Sequence, residues 1–234
     1  MAQLAWPIVV TQLLMVAYNL TDTLWLGQFS TDAVAAISLA FPLIFLFISV
    51  GGGFTVAGST LVAQYTGAKS ERSAGTVAGQ TLSFITIIAV VVGILGFLLT
   101  DDLLGVLPSS PATAGQVVPL AAEYMAVFFL GLPFLFGYFV FSALMRGYGN
   151  TRAPMLIMAV SVGVNVIIDP LLIFGWGPIP QLGVAGAAVA TITSRGLATL
   201  LGLYVLFGTA AGPDVFLEDF RPRLEYIVKI VRLG

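Results

Sequence analysis

Residues 154–174 read PMLIMAVSVGVNVIIDPLLIF, an apolar run whose single charged residue is Asp169, and this stretch decides the fold. A helix needs roughly 20 mostly apolar residues to cross a hydrocarbon core of about 30 Å, and the run has that length. A carboxylate at the bilayer centre costs about 2.5 to 3.5 kcal/mol on insertion scales, so one found there marks an ion or substrate pathway. Working outward, apolar spans of similar character cover Leu4–Leu26, Val34–Gln64, Ala74–Leu99 and Val117–Met145, and Val184–Phe207 follows. The expected fold is an all-α integral membrane protein, a six-helix transmembrane bundle.

Composition supports this reading. Of 234 residues, 59% are hydrophobic and 9% charged, and the mean hydropathy is +1.04, far from the values of a soluble domain. With no cysteine and no histidine, zinc sites, thiol nucleophiles, disulfides, imidazole bases and the usual haem ligands are excluded. Any proton chemistry must therefore use carboxylates, and no cofactor is expected. The net charge of −2 argues against nucleic acid as a partner; the lipid bilayer is the expected one.

Positive charge is sorted to one side. Lys69 and Arg72 follow the second span, Arg146 and Arg152 bracket the turn after the fourth, and Arg221, Arg223, Lys229 and Arg232 follow the sixth. The loops Gly27–Ala33, Thr100–Gln116 and Gly175–Gly183 carry no Lys or Arg. The positive-inside rule then places both termini in the cytoplasm, with the chain a multi-pass protein of the plasma membrane. Residues 1–207 form the expected six-helix lobe, and 208–234 a cytoplasmic linker whose amphipathic end reads as the entrance to a further segment, as if both ends of the chain were trimmed from a larger protein.

Turn chemistry marks the boundaries. Gly147, Gly149 and Asn150 close the fourth span, and Gly175, Gly177, Pro178 and Pro180 break the chain after the fifth. Pro42 and Gly51 to Gly53 predict tilt, bending or extension of the long second span. Gly75, Gly79, Gly183, Gly186, Ala187 and Ala190 are read as sites of close helix approach.

Helical spacing and span direction allow the polar residues within the spans to converge in the outer half. Asp22 lies about 6 Å below the outer end of the first span at 1.5 Å per residue, with Tyr18 and Asn19 near it on the same helix. Asn165 stands one turn before Asp169 on one face, and Thr191 and Arg195 lie one turn apart in the sixth span. Pro170 lacks an amide hydrogen and disfavours helical geometry at Asp169, so a broken helix with a freed Val166 carbonyl is expected. Carboxylates, amide oxygen and hydroxyl together make a hard-oxygen site for sodium, or a proton-carrying pair. The plainer alternatives are that Asp22 caps a helix end and that Asp169 tolerates a proline kink. Thr191 could bond its own backbone, and Tyr18 could be an interfacial anchor. Arg195 either lines the cavity or pairs with an acid.

Several motifs carry a family resemblance. Leu4-Ala5-Trp6-Pro7-Ile8 and Thr21-Asp22-Thr23-Leu24-Trp25-Leu26-Gly27, then Arg146-Gly147-Tyr148-Gly149-Asn150-Thr151-Arg152, then Asn165-Val166-Ile167-Ile168-Asp169-Pro170 and Gly183 to Thr191 stand in the chain in that order. Together they resemble the amino-terminal lobe of the multidrug and toxic compound extrusion family. The resemblance implies one lobe of a twelve-helix transporter, not an enzyme: an antiporter that exports bulky cationic or lipophilic compounds, small organic cations or drugs, driven by proton or sodium entry. It implies that Asp22, Asn165, Asp169 and Thr191 couple the cation, sodium being the metal they would hold. Tyr18, Asn19 and Arg195 are candidates for the substrate cavity, and Pro7 and Pro170 for helix bending. A lone lobe has half a pathway, so the partner is a carboxy-terminal lobe or a second copy. Two other functions fit the spans less well. A lipid-linked oligosaccharide flippase of the same superfamily needs a more basic cavity, and an intramembrane transferase needs acidic motifs on loops that here are basic. An inert packing subunit is the remaining alternative.

Overall fold

A computed structural model describes residues 2–106 and 111–234. The apolar spans become helices that run past the hydrophobic segments at most of their ends, because backbone hydrogen bonding continues into the polar flanks. In chain order these are α1 (Ala2–Phe29), α2 (Thr31–Gly67), α3 (Glu71–Leu98), the short α4 (Thr100–Gly105), α5 (Pro111–Tyr148), α6 (Arg152–Phe174), α7 (Gly183–Gly208), a 3-10 turn at Leu217–Phe220, and α8 (Leu224–Leu233). No strand occurs among the described residues. Six of the helices, α1, α2, α3, α5, α6 and α7, are long and apolar enough to cross a membrane.

Local chemistry sets the turns. Between α1 and α2 the Ser30 hydroxyl accepts the Ala33 amide at 3.0 Å, satisfying one of the unpaired donors of a helix start. Between α5 and α6, Gly149 adopts φ +99°, a conformation that glycine takes without strain. Beside it the Asn150 side-chain oxygen accepts the amides of Arg152 and Ala153 at 3.2 and 3.1 Å.

Four expectations change. The loop Thr100–Gln116 is largely helical, held by α4 and the start of α5, while residues 107–110 lie outside the described residues. Asp22 is deeper than its apolar span implied, since α1 continues for seven residues to Phe29, about 10 Å at 1.5 Å per residue. Nor is α6 broken at Pro170: it stays helical from Arg152 to Phe174, with Pro170 buried. Burial against neighbouring helices outweighs the local cost of one lost hydrogen bond. Finally, Gly75 and Gly79 do not serve contact between the long apolar helices. A Cβ at Gly75 would lie 1.8 Å from the Asp214 carbonyl oxygen, and one at Gly79 would lie 2.6 Å from Asp219 Cβ, so these glycines admit the segment after α7. Gly186 does meet a helix, since a Cβ there would come within 2.7 Å of the Leu172 backbone on α6.

The bundle is built around α5, which packs on α2, α3 and α7, while α6 joins α7 to α1. Contact between α1 and α2 is slight. Tight packing of α1 against α6 and of α2 against α5 therefore leaves a hollow bounded by α1, α2, α5 and α7. Large apolar side chains such as Leu13, Leu20, Leu24, Ile87 and Leu98 cover the exposed outer surface, as a hydrocarbon environment requires.

Residues 208–234 return along α2 and α3. Asp219, fully buried, takes Arg72 Nη1 at 2.6 Å, the Thr76 hydroxyl at 3.0 Å and the Phe216 amide at 3.0 Å. Gln80 donates to the carbonyls of Asp219 and Arg221 and accepts the Arg223 amide at 2.7 Å. Burial pushes the Asp219 carboxyl up, yet Arg72, Phe216 and Thr76 together hold it below its ordinary value.

Candidate functional site

Three helices each present a polar stripe at helical spacing. On α6, Ser161, Asn165 and Asp169 recur every fourth residue and are fully buried, so they line one face. On α1, Tyr18 and Asp22 are also four apart. On α7, Thr191, Ser194 and Arg195 occupy a single turn and are all buried.

These stripes meet. Asn165 Nδ2 donates to Asp169 Oδ1 at 3.2 Å, and the Thr191 hydroxyl donates to Asp22 Oδ2 at 3.4 Å rather than to its own helix. The carboxyl groups of Asp22 and Asp169 lie within hydrogen-bonding reach of each other. The cluster is short of donors: Asp22 Oδ1, Asn165 Oδ1 and Asp169 Oδ2 are buried with no hydrogen-bond partner among the described residues. Buried acceptors left unpaired are costly, and a cation is the species that satisfies several of them at once. Two carboxylates, an amide oxygen and a hydroxyl are hard ligands, suited to a proton or sodium rather than a transition metal. Among the described residues no group of three or more Asp, Glu, His or Cys side chains forms a metal cluster.

Below the acids, Tyr18 is 2% exposed, which rules out its reading as an interfacial anchor. Its hydroxyl pairs with Ser194 Oγ at 2.8 Å, and Ser161 Oγ donates to the Ser194 carbonyl at 3.1 Å, tying α6 to α7. The Arg195 guanidinium lies 4.5 Å from the Tyr18 ring centroid and 5.5 Å from that of Tyr138. Its Nη1 donates to Met158 Sδ at 3.0 Å, and its Nε has no partner among the described residues. Ion pairing of Arg195 with an acid, one of the two readings of this residue, does not occur among the described residues. Asn19 is exposed at the end of the same stripe and lines the hollow. Pro7 sits within α1, its carbonyl accepting the Thr11 hydroxyl at 2.8 Å, and α1 stays helical across it.

The hollow itself is a cavity of about 520 Å³, lined by Asp22, Thr191, Tyr18 and Arg195 together with the aromatic Phe41, Phe45, Tyr124 and Phe128. A second cavity of about 340 Å³ adjoins it, sharing Met15, Ile48 and Phe139 and containing Gln12, Tyr138 and Arg146. Sequence reasoning missed Ser161, Ser194, Tyr138 and Met158. The first two continue polar stripes at four- and three-residue spacing from Asn165 and Thr191, a signal present in the sequence. Tyr138 and Met158 carry no such signal, since their role arises from Arg195 reaching across to other helices.

Comparison with known proteins places this geometry. The MatE family model matches residues 7–171. The chain is 36% identical over 214 residues to a probable multidrug resistance protein of Bacillus subtilis, covering 90% of this chain and 44% of the relative. It is 32% identical over 200 residues to an FAD transporter of Shewanella oneidensis, covering 86% and 43%. In three dimensions it superposes with TM-score 0.89 and 30% identity on a MOP superfamily transporter from Pyrococcus furiosus, whose binding pocket is described as of reverse polarity; all of this chain covers 50% of that one. The chain thus spans about half the length of the relatives it matches. Proteins of this family are transporters, not enzymes. By a match that takes in well over half of its residues, the chain belongs to the MatE family.

Proposed function

We propose that this chain forms one six-helix half of a cation-coupled antiporter that exports bulky organic compounds across the plasma membrane. In this reading residues 1–207 are the embedded lobe and 208–234 a cytoplasmic linker, with both termini of the chain inside. The other half is a carboxy-terminal lobe or a second copy. The observation that carries the proposal is the donor-poor cluster of Asp22, Asn165 and Asp169, with Thr191 at its edge.

A proton or sodium ion entering from outside neutralises the acids, changes how α1 packs against α6 and α7, and favours release of the exported compound. Loss of the ion favours its rebinding from the inside. Coupling works only if ion and compound stabilise different states, because a ligand with equal affinity for both shifts nothing. The adjoining cavity is large, aromatic and largely apolar, which suits a lipophilic cargo. A cationic cargo draws less support, because Arg195 places a permanent positive charge on the cavity wall. The flippase alternative is weaker again: a pyrophosphate calls for several cations, and one guanidinium lines this cavity among the described residues.

The test is dye efflux from proteoliposomes under an imposed sodium or proton gradient, with the chain reconstituted alone and together with a second six-helix half. Efflux that follows the gradient, and that Asp169→Asn removes while membrane insertion is retained, supports the reading. Efflux indifferent to both gradients, or unchanged in the variant, eliminates it.

A further inference from the structure

Arg195 is the one strongly ionic group of the cavity that the cation cycle leaves unused. It is 5% exposed, yet no acid pairs with it among the described residues. Two tyrosine rings hold the guanidinium by their π faces, which attract a cation but do not replace in-plane acceptors. Its one hydrogen bond among the described residues goes to the thioether of Met158, a weak acceptor. Its Nε has no partner among the described residues, although guanidinium is built to grip a planar anion through a fork of donors. A buried charge left this way is costly, and the cavity beside it has room for the group that would relieve the cost.

The neighbouring cavity repeats the pattern. Arg146 lines it with Gln12 and Ser142, no acid lines it, and Arg146 Nη1 donates to Ser142 Oγ at 2.8 Å. The two cavities share the walls formed by Met15, Ile48 and Phe139, and among the described residues their linings carry two guanidinium groups and a single acid, Asp22.

We propose that the exported compound is a lipophilic organic acid, whose carboxylate or phosphate is received by Arg195 while its aromatic body lies against Tyr124 and Phe128. This rests on the transport reading above and narrows its cargo. Arg195 then serves as the specificity-determining residue: it distinguishes the acid from its neutral ester. Asp22 and Asp169 remain with the cation.

The experiment uses the chain in lipid nanodiscs and two forms of one fluorescent xanthene dye, the free benzoate and its methyl ester, with binding read by fluorescence anisotropy. The benzoate is expected to bind about 10-fold more tightly, the lower end of what a hydrogen bond to a charged group contributes, and 0.5 M salt should reduce that preference little because the pair is buried. Arg195→Gln and Arg195→Met should both bring the ratio of the two affinities close to one, and Arg195→Lys should keep part of the preference through its retained charge. Equal or tighter binding of the ester by the unsubstituted chain overturns the proposal, and this needs no variant to fold. A preference that persists undiminished in Arg195→Met overturns it as well. Asp169→Asn separates the two readings: the benzoate preference should survive it, and the transport reading fails if gradient-driven efflux also survives.

Discussion

Among the described residues, the buried polar assemblies at Asp219 and at Asp22 and Asp169 are built on opposite terms. At Asp219 every group is met: guanidinium, hydroxyl and backbone amide surround the carboxylate, and Gln80 spends both ends of its amide on the returning chain. At Asp22 and Asp169 the acceptors outnumber the donors, and three buried oxygens have no partner. A satisfied network fixes a shape, since each deletion strands a partner. One with unmet acceptors stores a demand that an incoming cation fulfils. The first therefore reads as architecture and the second as a site.

Substitution should separate the two assemblies sharply. Asp169→Asn is expected to have the largest effect, a loss of gradient-driven efflux of at least about 100-fold, equivalent to roughly 2.7 kcal/mol. Its thermal midpoint in detergent should stay level or rise, since an amide can donate to Asp22 where a carboxylate could not. A fall in midpoint with efflux preserved would reverse the assignment of the two assemblies. Asp219→Ala should do the opposite, lowering stability by about 2 to 3 kcal/mol through stranded donors while leaving cation affinity in place; denaturation followed by circular dichroism is the check.

Acid should withdraw that same contribution. The Asp219 carboxyl is held below its ordinary value in the folded chain, so its stabilisation is complete above the unfolded pKa of about 3.9 and is lost as pH falls through the lower folded value. The gap in thermal midpoint between the unsubstituted chain and Asp219→Ala should be constant at neutral pH and close only below that point. Gly75→Ala pushes a methyl into the Asp214 carbonyl and should cost about 1 to 3 kcal/mol, as overpacking does, with faster proteolysis of 208–223 as its signature. Smallest is Thr191→Val. The hydroxyl reaches Asp22 at 3.4 Å, a long hydrogen bond, so a loss of about 1 kcal/mol in cation binding is expected, measured as a shift in the sodium or proton dependence of efflux.

How much was legible beforehand depends on the range of the interaction. The six crossings follow from runs of apolar residues, which lipid demands locally, and Asp169 declares itself by its cost in such a run. Asn165 is visible from helical spacing alone, and the same spacing would have found Ser161 and Ser194. Pro170 misled because its preference is local, whereas α6 is held helical by burial. Gly75 and Gly79 misled for a related reason: a small residue announces that something comes close, not what. The short α4 was hidden by its size.

The sequence by itself determined that this chain lives in a membrane, how many times it crosses and which few polar residues cannot be facing lipid. Those properties follow from hydropathy and 3.6-residue periodicity, each a sum over neighbours along the chain. Only the tertiary structure decided that Asp22 on α1 meets Asp169 on α6 and Thr191 on α7, that Arg195 rests on two tyrosines with no acid as ion-pair partner among the described residues, and that the segment after α7 is clamped to α3. Each of these joins residues far apart in sequence, and whether a buried charge finds its partner is set by how helices pack against one another, which no local pattern encodes.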